Sequence, residues 1–152
     1  MKIFSFFGSS SSGKTTIISN IISQLSGSMT IGYVKNIPHD NISLDTEHKD
    51  TWQMENSGAY RIYGLAPGRT YSMLRRKTDI DDIITNDNDV DIYLIEGFRD
   101  YSKSTGFLVL GNEDYLTIHH DYIIKANNKT YTGECIKYPE EFSKIIGILM
   151  DA

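Results

Sequence analysis

The segment Gly8-Ser9-Ser10-Ser11-Ser12-Gly13-Lys14-Thr15 constrains the fold more than any other part of the chain. It fits the pattern G-x-x-x-x-G-K-[ST] in full, and this pattern is meaningful only between a strand and a helix. Ile3 to Phe7 is a short apolar and aromatic run that ends at Gly8, which predicts a buried strand. A helix is predicted from Thr15 to a stop at Gly27, because apolar residues recur on one face at Ile17, Ile18, Ile21, Ile22 and Leu25.

The elements that follow predict an α/β chain. Thr30 to Val34 is the second strand, and a strand, helix and strand in this order predict parallel strands joined by a right-handed crossover. Ile92 to Ile95 is a continuous apolar run and predicts another buried strand. Later predicted elements are strands at Phe107 to Leu110 and Tyr122 to Lys125, a helix at Thr78 to Ile84 capped by Thr78, and a closing helix at Pro139 to Met150. We therefore expect three layers, with helices flanking a mostly parallel sheet.

The middle of the chain predicts an insertion into this sheet. Lys35 to Asp50 is polar and loop-like, and a loop of this length in a compact domain is usually functional or disordered. Thr51 to Ala59 is predicted as a short helix. Two strand-like pieces, Tyr60 to Leu65 and Thr70 to Leu74, are joined through Ala66-Pro67-Gly68-Arg69, which is a turn signal and favours an inserted β-hairpin.

Composition limits the class of protein. The 152 residues lie near the usual length of one domain, so we predict a single nucleotide-binding domain over residues 1–152. The net charge is −5, so an anionic ligand needs a local positive site, and we expect no nucleic-acid partner. Cys135 is the one cysteine, and no apolar run approaches the roughly 18 residues that span a bilayer. A cytoplasmic protein without a membrane partner is expected.

The glycine-rich segment has the residue types that phosphate binding requires. Its glycines let the backbone turn tightly and direct N–H groups at phosphate oxygens, while the helix that follows presents its positive end to the same anion. Lys14 is predicted to bridge the β- and γ-phosphates, as a nucleotide-binding and catalytic residue, and the Thr15 hydroxyl to ligate Mg²⁺. The predicted nucleotide-binding residues of this loop are Gly8, Ser9, Ser10, Ser11, Ser12, Gly13, Lys14 and Thr15. The alternative interpretation is a flexible Gly/Ser surface loop.

Glu96 is the predicted acidic partner of the metal. It follows the strand Ile92 to Ile95 directly, and ligands of open α/β sheets bind at the carboxyl ends of the strands. Without the glycine-rich loop, Glu96 would be read as a carboxylate at an ordinary strand-to-loop turn. With it, Thr15 and Glu96 are the predicted metal ligands, and Mg²⁺ is the predicted cofactor.

Three segments resemble the molybdopterin-guanine dinucleotide biosynthesis protein B (MobB) family. Gly8 to Thr16 is similar to the family's loop, which also ends in Gly-Lys-Thr-Thr. Gly32 to Asp40, continuing through Asp45 to Ala59, is similar to its second strand and following loop. Leu94-Ile95-Glu96-Gly97-Phe98-Arg99 resembles its Leu-Val-Glu-Gly-Phe-Lys. The resemblance covers most of the first 100 residues.

The resemblance implies a GTP-binding, weakly hydrolysing, homodimeric accessory protein that assists attachment of GMP to molybdopterin. Its implied partners are a molybdenum cofactor guanylyltransferase (MobA-like) and molybdopterin itself. It adds Thr16 and Lys35 to the nucleotide-binding residues. It also implies that His39, Asp40, Asp45 and Asp50 line the nucleotide or the cofactor-facing loop. Asp45 and Asp50 are predicted to be catalytic, because a carboxylate near a metal-bound triphosphate holds a metal-bound water or orients the attacking one.

Other functions of the same motif stay open at this level. A small-molecule kinase would use Arg69, Arg75 and Arg76 as a lid over its acceptor. A nucleotide-gated adaptor would instead order the loop from Lys35 to Asp50 on binding, without significant hydrolysis. The choice between guanine and adenine is also open, because Asn128-Lys129-Thr130-Tyr131 lacks the aspartate of the Asn-Lys-x-Asp guanine reader.

Overall fold

The computed structural model describes residues 1–39, 45, 47, 49–111, 113–126 and 130–151. By its internal contacts the chain divides into a first unit, Met1–Asn36 with Ile84–Ala152, and a second unit, Ile37–Ile83. The prediction of a single domain over 1–152 stays a prediction. Among the described helices, none has the length and apolar character needed to cross a bilayer.

The strands are β1 (Lys2–Phe7), β2 (Ile31–Lys35), β3 (Arg61–Ala66), β4 (Arg69–Leu74), β5 (Ile92–Glu96), β6 (Thr105–Val109), β7 (Tyr122–Lys125) and β8 (Ile136–Lys137). The helices are α1 (Lys14–Leu25), α2 (Asp50–Asn56), α3 (Ile80–Thr85) and α4 (Phe142–Asp151), with a short 3-10 helix at Glu113–Thr117. Each strand and helix predicted from the sequence is present, with bounds that differ by up to three residues.

The first unit is built on a six-stranded sheet in the order β2-β5-β1-β6-β7-β8. All of its described strand pairings are parallel, which confirms the α/β prediction. β1 and β2 are parallel, as expected, but β5 lies between them and pairs with both. In this arrangement Glu96 is in register with Phe6 on one side and with Lys35 on the other. The carboxyl ends of β1, β2 and β5 therefore meet at one edge.

The core lies on both faces of this sheet because successive strand residues point to opposite sides. Phe4, Phe6, Leu94 and Phe107 pack against α1 and α4, through the buried residues Ile17, Ile18, Ile21, Leu25, Ile145 and Leu149. The opposite face has a smaller cluster of Phe7, Leu108 and Leu110. Each buried Ile, Leu or Phe contributes about 1.5 to 3 kcal/mol of burial free energy, so the predicted helical faces are the main reason these helices dock.

The structure corrects the starts of two predicted helices. The backbone N–H of Asp81 donates to Oδ1 of Asp79 at 2.9 Å, so Asp79, rather than Thr78, caps α3. The closing helix begins at Phe142 instead of Pro139, because residues 138–141 form turns. In these turns the Glu141 N–H donates to the Lys137 carbonyl at 2.7 Å and the Phe142 N–H to the Pro139 carbonyl at 3.1 Å. β8 and the 3-10 helix were not predicted, since two residues and one turn are too short to show a hydrophobic period.

The second unit consists of α2 and an antiparallel hairpin. β3 pairs with β4 from Arg61↔Leu74 to Ala66↔Arg69, around a turn at Pro67 and Gly68, which confirms the predicted hairpin. α2 covers Asp50–Asn56, slightly earlier than predicted. In the loop that precedes it, residues 40–44, 46 and 48 lie outside the described part of the chain. α3 crosses the division between the two units.

Candidate nucleotide-binding site

The P-loop, Gly8 to Thr15, has a backbone that only certain residues tolerate. Gly8 and Gly13 have positive φ angles of 141° and 104°, and Ser11 is a non-glycine residue at 58°. A Cβ atom on Gly8 would lie 2.2 Å from the carbonyl oxygen of Val109, so β6 packs directly on the start of the loop. Strained backbone of this kind is characteristic of binding and catalytic sites.

The loop ends at the amino terminus of α1, where helix N–H groups have no intrahelical acceptor. Gly13 is the N-cap residue in a left-handed conformation, and no side chain of the described residues caps this end. The first turn contains no acidic residue. The N–H groups and the positive end of the helix dipole are therefore directed at the space that the loop encloses, which suits a phosphate.

Lys14 reaches back over the loop. Its Nζ donates to the carbonyl oxygens of Ser9 at 2.6 Å and Gly8 at 3.2 Å, and to Oγ of Ser12 at 3.4 Å. Partial burial lowers the pKa of Lys14, and the nearby Lys35 lowers it further, whereas Glu96 raises it. The ammonium group is thus held at the mouth of the loop, where a phosphate oxygen is a better partner than a backbone carbonyl.

Glu96 stands at the end of β5 and is 6% exposed. Its carbonyl accepts the Asn36 N–H at 2.9 Å, and the next N–H, of Gly97, donates to the Phe6 carbonyl at 3.0 Å. These bonds continue the ladders of β5 with β2 and β1 beyond the last strand residues. The backbone of Glu96 is therefore fixed from both sides, and its side chain projects on the α1 face of the sheet, like that of Leu94.

Three further side chains contact the Glu96 carboxylate. Oγ1 of Thr15 lies 3.1 Å from Oε1 and 3.2 Å from Oε2. The Tyr33 hydroxyl donates to Oε2 at 2.9 Å, and Nζ of Lys35 lies 3.6 Å from Oε1. Partial burial and the bond to Glu96 raise the pKa of Tyr33 to about 12, so the phenol stays protonated and remains a donor at neutral pH.

The donor set fits a magnesium ion. Thr15 offers a hydroxyl and Glu96 a carboxylate, which are the hard oxygen ligands that Mg²⁺ prefers. The same cluster has two ammonium groups, Lys14 and Lys35, against the one carboxylate of Glu96. Although the chain as a whole has a charge of −5, this edge of the sheet is locally positive. The arrangement therefore suits a polyphosphate bound together with a divalent cation.

Comparison with known proteins decides the family. The family model for molybdopterin guanine dinucleotide synthesis protein B matches residues 3–107, which include the P-loop, Lys35 and Glu96. The chain belongs to the MobB family. Membership in this family implies a role in molybdopterin guanine dinucleotide synthesis. By sequence alone, no curated protein matches the chain.

Solved structures share the fold of this MobB-family chain. Bacillus subtilis MobB is 24% identical over 97% of both chains, with a TM-score of 0.75. A MobB protein homolog from Bacillus stearothermophilus is 17% identical, over 99% of this chain and 97% of that chain, with a TM-score of 0.71. A third structure, of molybdopterin-guanine biosynthesis protein B, is 22% identical over 98% of both chains, with a TM-score of 0.72. At these identities the likeness concerns the fold.

The structure brings together four of the predicted site residues: Lys14, Thr15 and Glu96, which the motif and the strand pattern indicated, and Lys35, which the family resemblance added. Of the P-loop serines, Ser12 is buried and Ser10 and Ser11 are exposed, while Thr16 is exposed in the first turn of α1. Asp45 and Asp50 belong to the second unit and are exposed, Asp50 as the first residue of α2. Their catalytic role stays a prediction. Asp40, Asn128 and Lys129 lie outside the described residues.

Sequence reasoning missed two residues of this site. Tyr33 is two positions before Lys35 in β2, so both side chains lie on the face of the sheet that Glu96 occupies. This spacing places Tyr33 on the Lys35 face of β2 from the sequence alone, whereas its contact with Glu96 depends on the register of β2 against β5. Gly111 follows β6, and a Cβ atom there would lie 2.3 Å from Oγ of Ser9 and 3.0 Å from Cβ of Ser12. No sequence pattern indicates that Gly111 supports the P-loop, because the contact depends on how β6 ends.

Proposed function

We propose that this chain binds GTP together with Mg²⁺ in its P-loop and acts as an accessory protein, with weak GTPase activity, in molybdenum cofactor maturation. Its task is to assist formation of molybdopterin guanine dinucleotide. The observation that carries the proposal is the cluster at one sheet edge, where Lys14 and Thr15, the first residues of α1, lie beside Glu96 at the end of β5. Phosphate and metal binding need these groups within reach of one another.

Each group of the cluster has a role in the proposal. The N–H groups of Gly8 to Thr16 bind phosphate oxygens, and Lys14 exchanges its backbone carbonyl partners for the β- and γ-phosphates. Thr15 and Glu96 hold Mg²⁺, which when bound supplies positive charge to the phosphate oxygens. Lys35 adds a second ammonium group near the nucleotide. Asp45 and Asp50 are proposed to orient the attacking water.

The choice of guanine rests on the family, whose description names a guanine dinucleotide. Slow hydrolysis is expected because stabilisation of the transferring phosphoryl group usually needs an arginine finger, which is worth about 10³ to 10⁵ in rate. Arg99, three residues after Glu96, is the candidate for such a finger in the first unit. Its guanidinium pairs with Asp100 at 3.4 Å, and both side chains are more than half exposed. In the part of the first unit that the structure describes, no contact holds this side chain over the P-loop, and we propose a switch or accessory role rather than fast turnover.

The proposal extends to partners and location. A molybdenum cofactor guanylyltransferase (MobA-like) and molybdopterin are the proposed partners, and a homodimer is the proposed assembly, because the family resemblance implies them. A cytoplasmic location agrees with the single cysteine, Cys135, since proteins of reducing compartments do not depend on disulfides.

Titration calorimetry tests nucleotide binding most directly. Non-hydrolysable GTP and ATP analogues are titrated into the wild type, Lys14→Ala and Lys137→Ala, with and without Mg²⁺. Lys14→Ala removes a charge-assisted phosphate contact worth about 1.5 to 3 kcal/mol, so affinity should fall tenfold or more. Lys137, in β8 at the far edge of the sheet, is the matched control for loss of one positive charge. The Lys137→Ala variant should bind the nucleotide analogues with the affinity of the wild type.

Preferential binding of the GTP analogue, lost in Lys14→Ala and kept in Lys137→Ala, is the expected result. Preference for the ATP analogue would contradict the guanine part of the proposal, and no binding of either nucleotide would contradict all of it. Co-purification of a guanylyltransferase with the tagged chain tests the partner. Light scattering during gel filtration tests the assembly, since a monomer has a mass of 17.2 kDa.

A further inference from the structure

The Glu96 carboxylate is held by three contacts of unequal quality. Thr15 has one hydroxyl proton and lies almost equally far from both carboxylate oxygens, at 3.1 and 3.2 Å, so it does not select one of them. Lys35 is 3.6 Å away, longer than a hydrogen bond, and solvent screens its ion pair; Tyr33 is 43% exposed as well, so distance rather than burial separates the two contacts. The Tyr33 hydroxyl, at 2.9 Å from Oε2, makes the shortest contact.

The backbone of Tyr33 is also held by the pairing of β2 with β5. Tyr33 lies in the middle of β2, which pairs with β5 from Ile31↔Ile92 to Lys35↔Glu96. Its hydroxyl donates to the carboxylate of the strand that its own backbone is bonded to. The bond therefore fixes the rotation of the Glu96 carboxylate relative to the sheet, whereas Thr15 approaches from α1.

We propose that Tyr33 is a positioning residue that orients the Glu96 carboxylate for the divalent cation bound with the nucleotide. The inference rests on the proposed function, because it concerns the same metal. Groups that hydrogen-bond to a metal-binding carboxylate fix its orientation, and their loss typically costs about 10- to 100-fold in metal affinity. Tyr33 acts through Glu96 and makes no contact with the phosphates in this proposal.

The chain offers a matched control for the loss of a tyrosine hydroxyl. Tyr93, in β5, donates its hydroxyl to Oδ2 of Asp87 at the same 2.9 Å. It pairs with Gly32, the neighbour of Tyr33. Because side chains along β5 alternate between the two faces of the sheet, Tyr93 lies on the face opposite to Leu94 and Glu96. Tyr93→Phe therefore removes the same kind of bond from the same sheet without touching the site.

The test measures how nucleotide binding depends on Mg²⁺. Binding of a non-hydrolysable GTP analogue to the full chain is titrated over a series of free Mg²⁺ concentrations, and also in EDTA, for the wild type, Tyr33→Phe and Tyr93→Phe. In Tyr33→Phe, the free Mg²⁺ at half-maximal effect should rise tenfold or more. Binding in EDTA should be unchanged. Tyr93→Phe should match the wild type in both measurements.

A second measurement separates positioning from a merely structural role. The Mg²⁺ dependence is repeated with Glu96→Gln and with the double variant Tyr33→Phe/Glu96→Gln. If Tyr33 acts through Glu96, removal of its hydroxyl adds nothing once the carboxylate is gone, so the effects are non-additive. Additive effects would overturn the inference. It would also fall if Tyr33→Phe kept the wild-type Mg²⁺ requirement, or if both tyrosine variants shifted it equally.

These outcomes are distinct from failure of the proposed function. If the wild type binds no nucleotide, or binds it without regard to Mg²⁺, the proposed function and this inference fail together. If the wild type shows Mg²⁺-dependent binding that Tyr33→Phe leaves intact, only the positioning role is wrong. Unfolding curves of all four variants verify that they are folded before their binding is compared.

Discussion

Gly8→Ala is the substitution that tests the contact between the P-loop and β6. The φ angle of Gly8 is 141°, and an added Cβ would lie 2.2 Å from the carbonyl oxygen and 3.2 Å from the carbonyl carbon of Val109. The optimal separation of non-bonded heavy atoms is about 3.5 Å, so the loop and the strand must move apart by about 1 Å. The obstacle is backbone of a fully buried strand residue, which has no rotamer to change.

Two costs add in this variant. A non-glycine residue in a glycine-only backbone region costs about 1 to 3 kcal/mol, and overpacking of a well-packed site costs about 1 to 3 kcal/mol. We therefore expect Gly8→Ala to lower the free energy of unfolding by about 2 to 6 kcal/mol, against a typical total of about 5 to 15 kcal/mol. Because the displaced loop holds Lys14, affinity for a GTP analogue should also fall at least tenfold.

Gly27→Ala is the control, since a Cβ atom there meets nothing within 4 Å and its backbone is not left-handed. Its unfolding free energy should be unchanged or slightly raised. Urea unfolding followed by circular dichroism measures stability, and calorimetry measures binding for variants that are folded. The reasoning would be refuted if Gly8→Ala were as stable as Gly27→Ala and bound the nucleotide analogue like the wild type.

Three smaller predictions concern the rest of the first unit. Gly147→Ala, inside α4 with open space at the Cβ position, should raise the free energy of urea unfolding by about 0.5 to 1 kcal/mol. Lys2→Met should lower it by about 0.3 to 1 kcal/mol and less at high salt, because Nζ donates to the Met150 carbonyl at 2.7 Å near the negative end of α4. Burial and the bond to Asp87 raise the pKa of Tyr93 to about 12, so its stabilising effect is present below pH 10 and is lost as the pH rises towards 12. Tyr93→Phe should therefore lose less stability than the wild type over that range, and it should lack one tyrosine ionisation near pH 12 in an ultraviolet absorbance titration.

Local patterns in the sequence determined the part of the site that β1, the P-loop and α1 form. The strand β1, the P-loop and α1 follow one another directly, and each has a signal that depends on near neighbours: an apolar run, glycines at fixed spacing, and a helical period of isoleucines. The position of Glu96 was also predictable, because a continuous apolar strand places the next residue at the carboxyl edge of a parallel sheet. The family resemblance rested on the P-loop, on the strand that ends at Glu96, and on the segment from Gly32 to Ala59.

Only the tertiary structure decided which side chains meet Glu96. The order of strands places β5 between β1 and β2, and the register sets Lys35 opposite Glu96, with Tyr33 on the same face. Residues 33 and 96 are far apart in the chain, so no local period couples them. The contacts of Gly8 with Val109 and of Gly111 with Ser9 likewise depend on where β6 passes the loop. Propensity and spacing act over one turn or one strand, whereas the geometry of this site is set by backbone hydrogen bonds between strands that are distant in sequence.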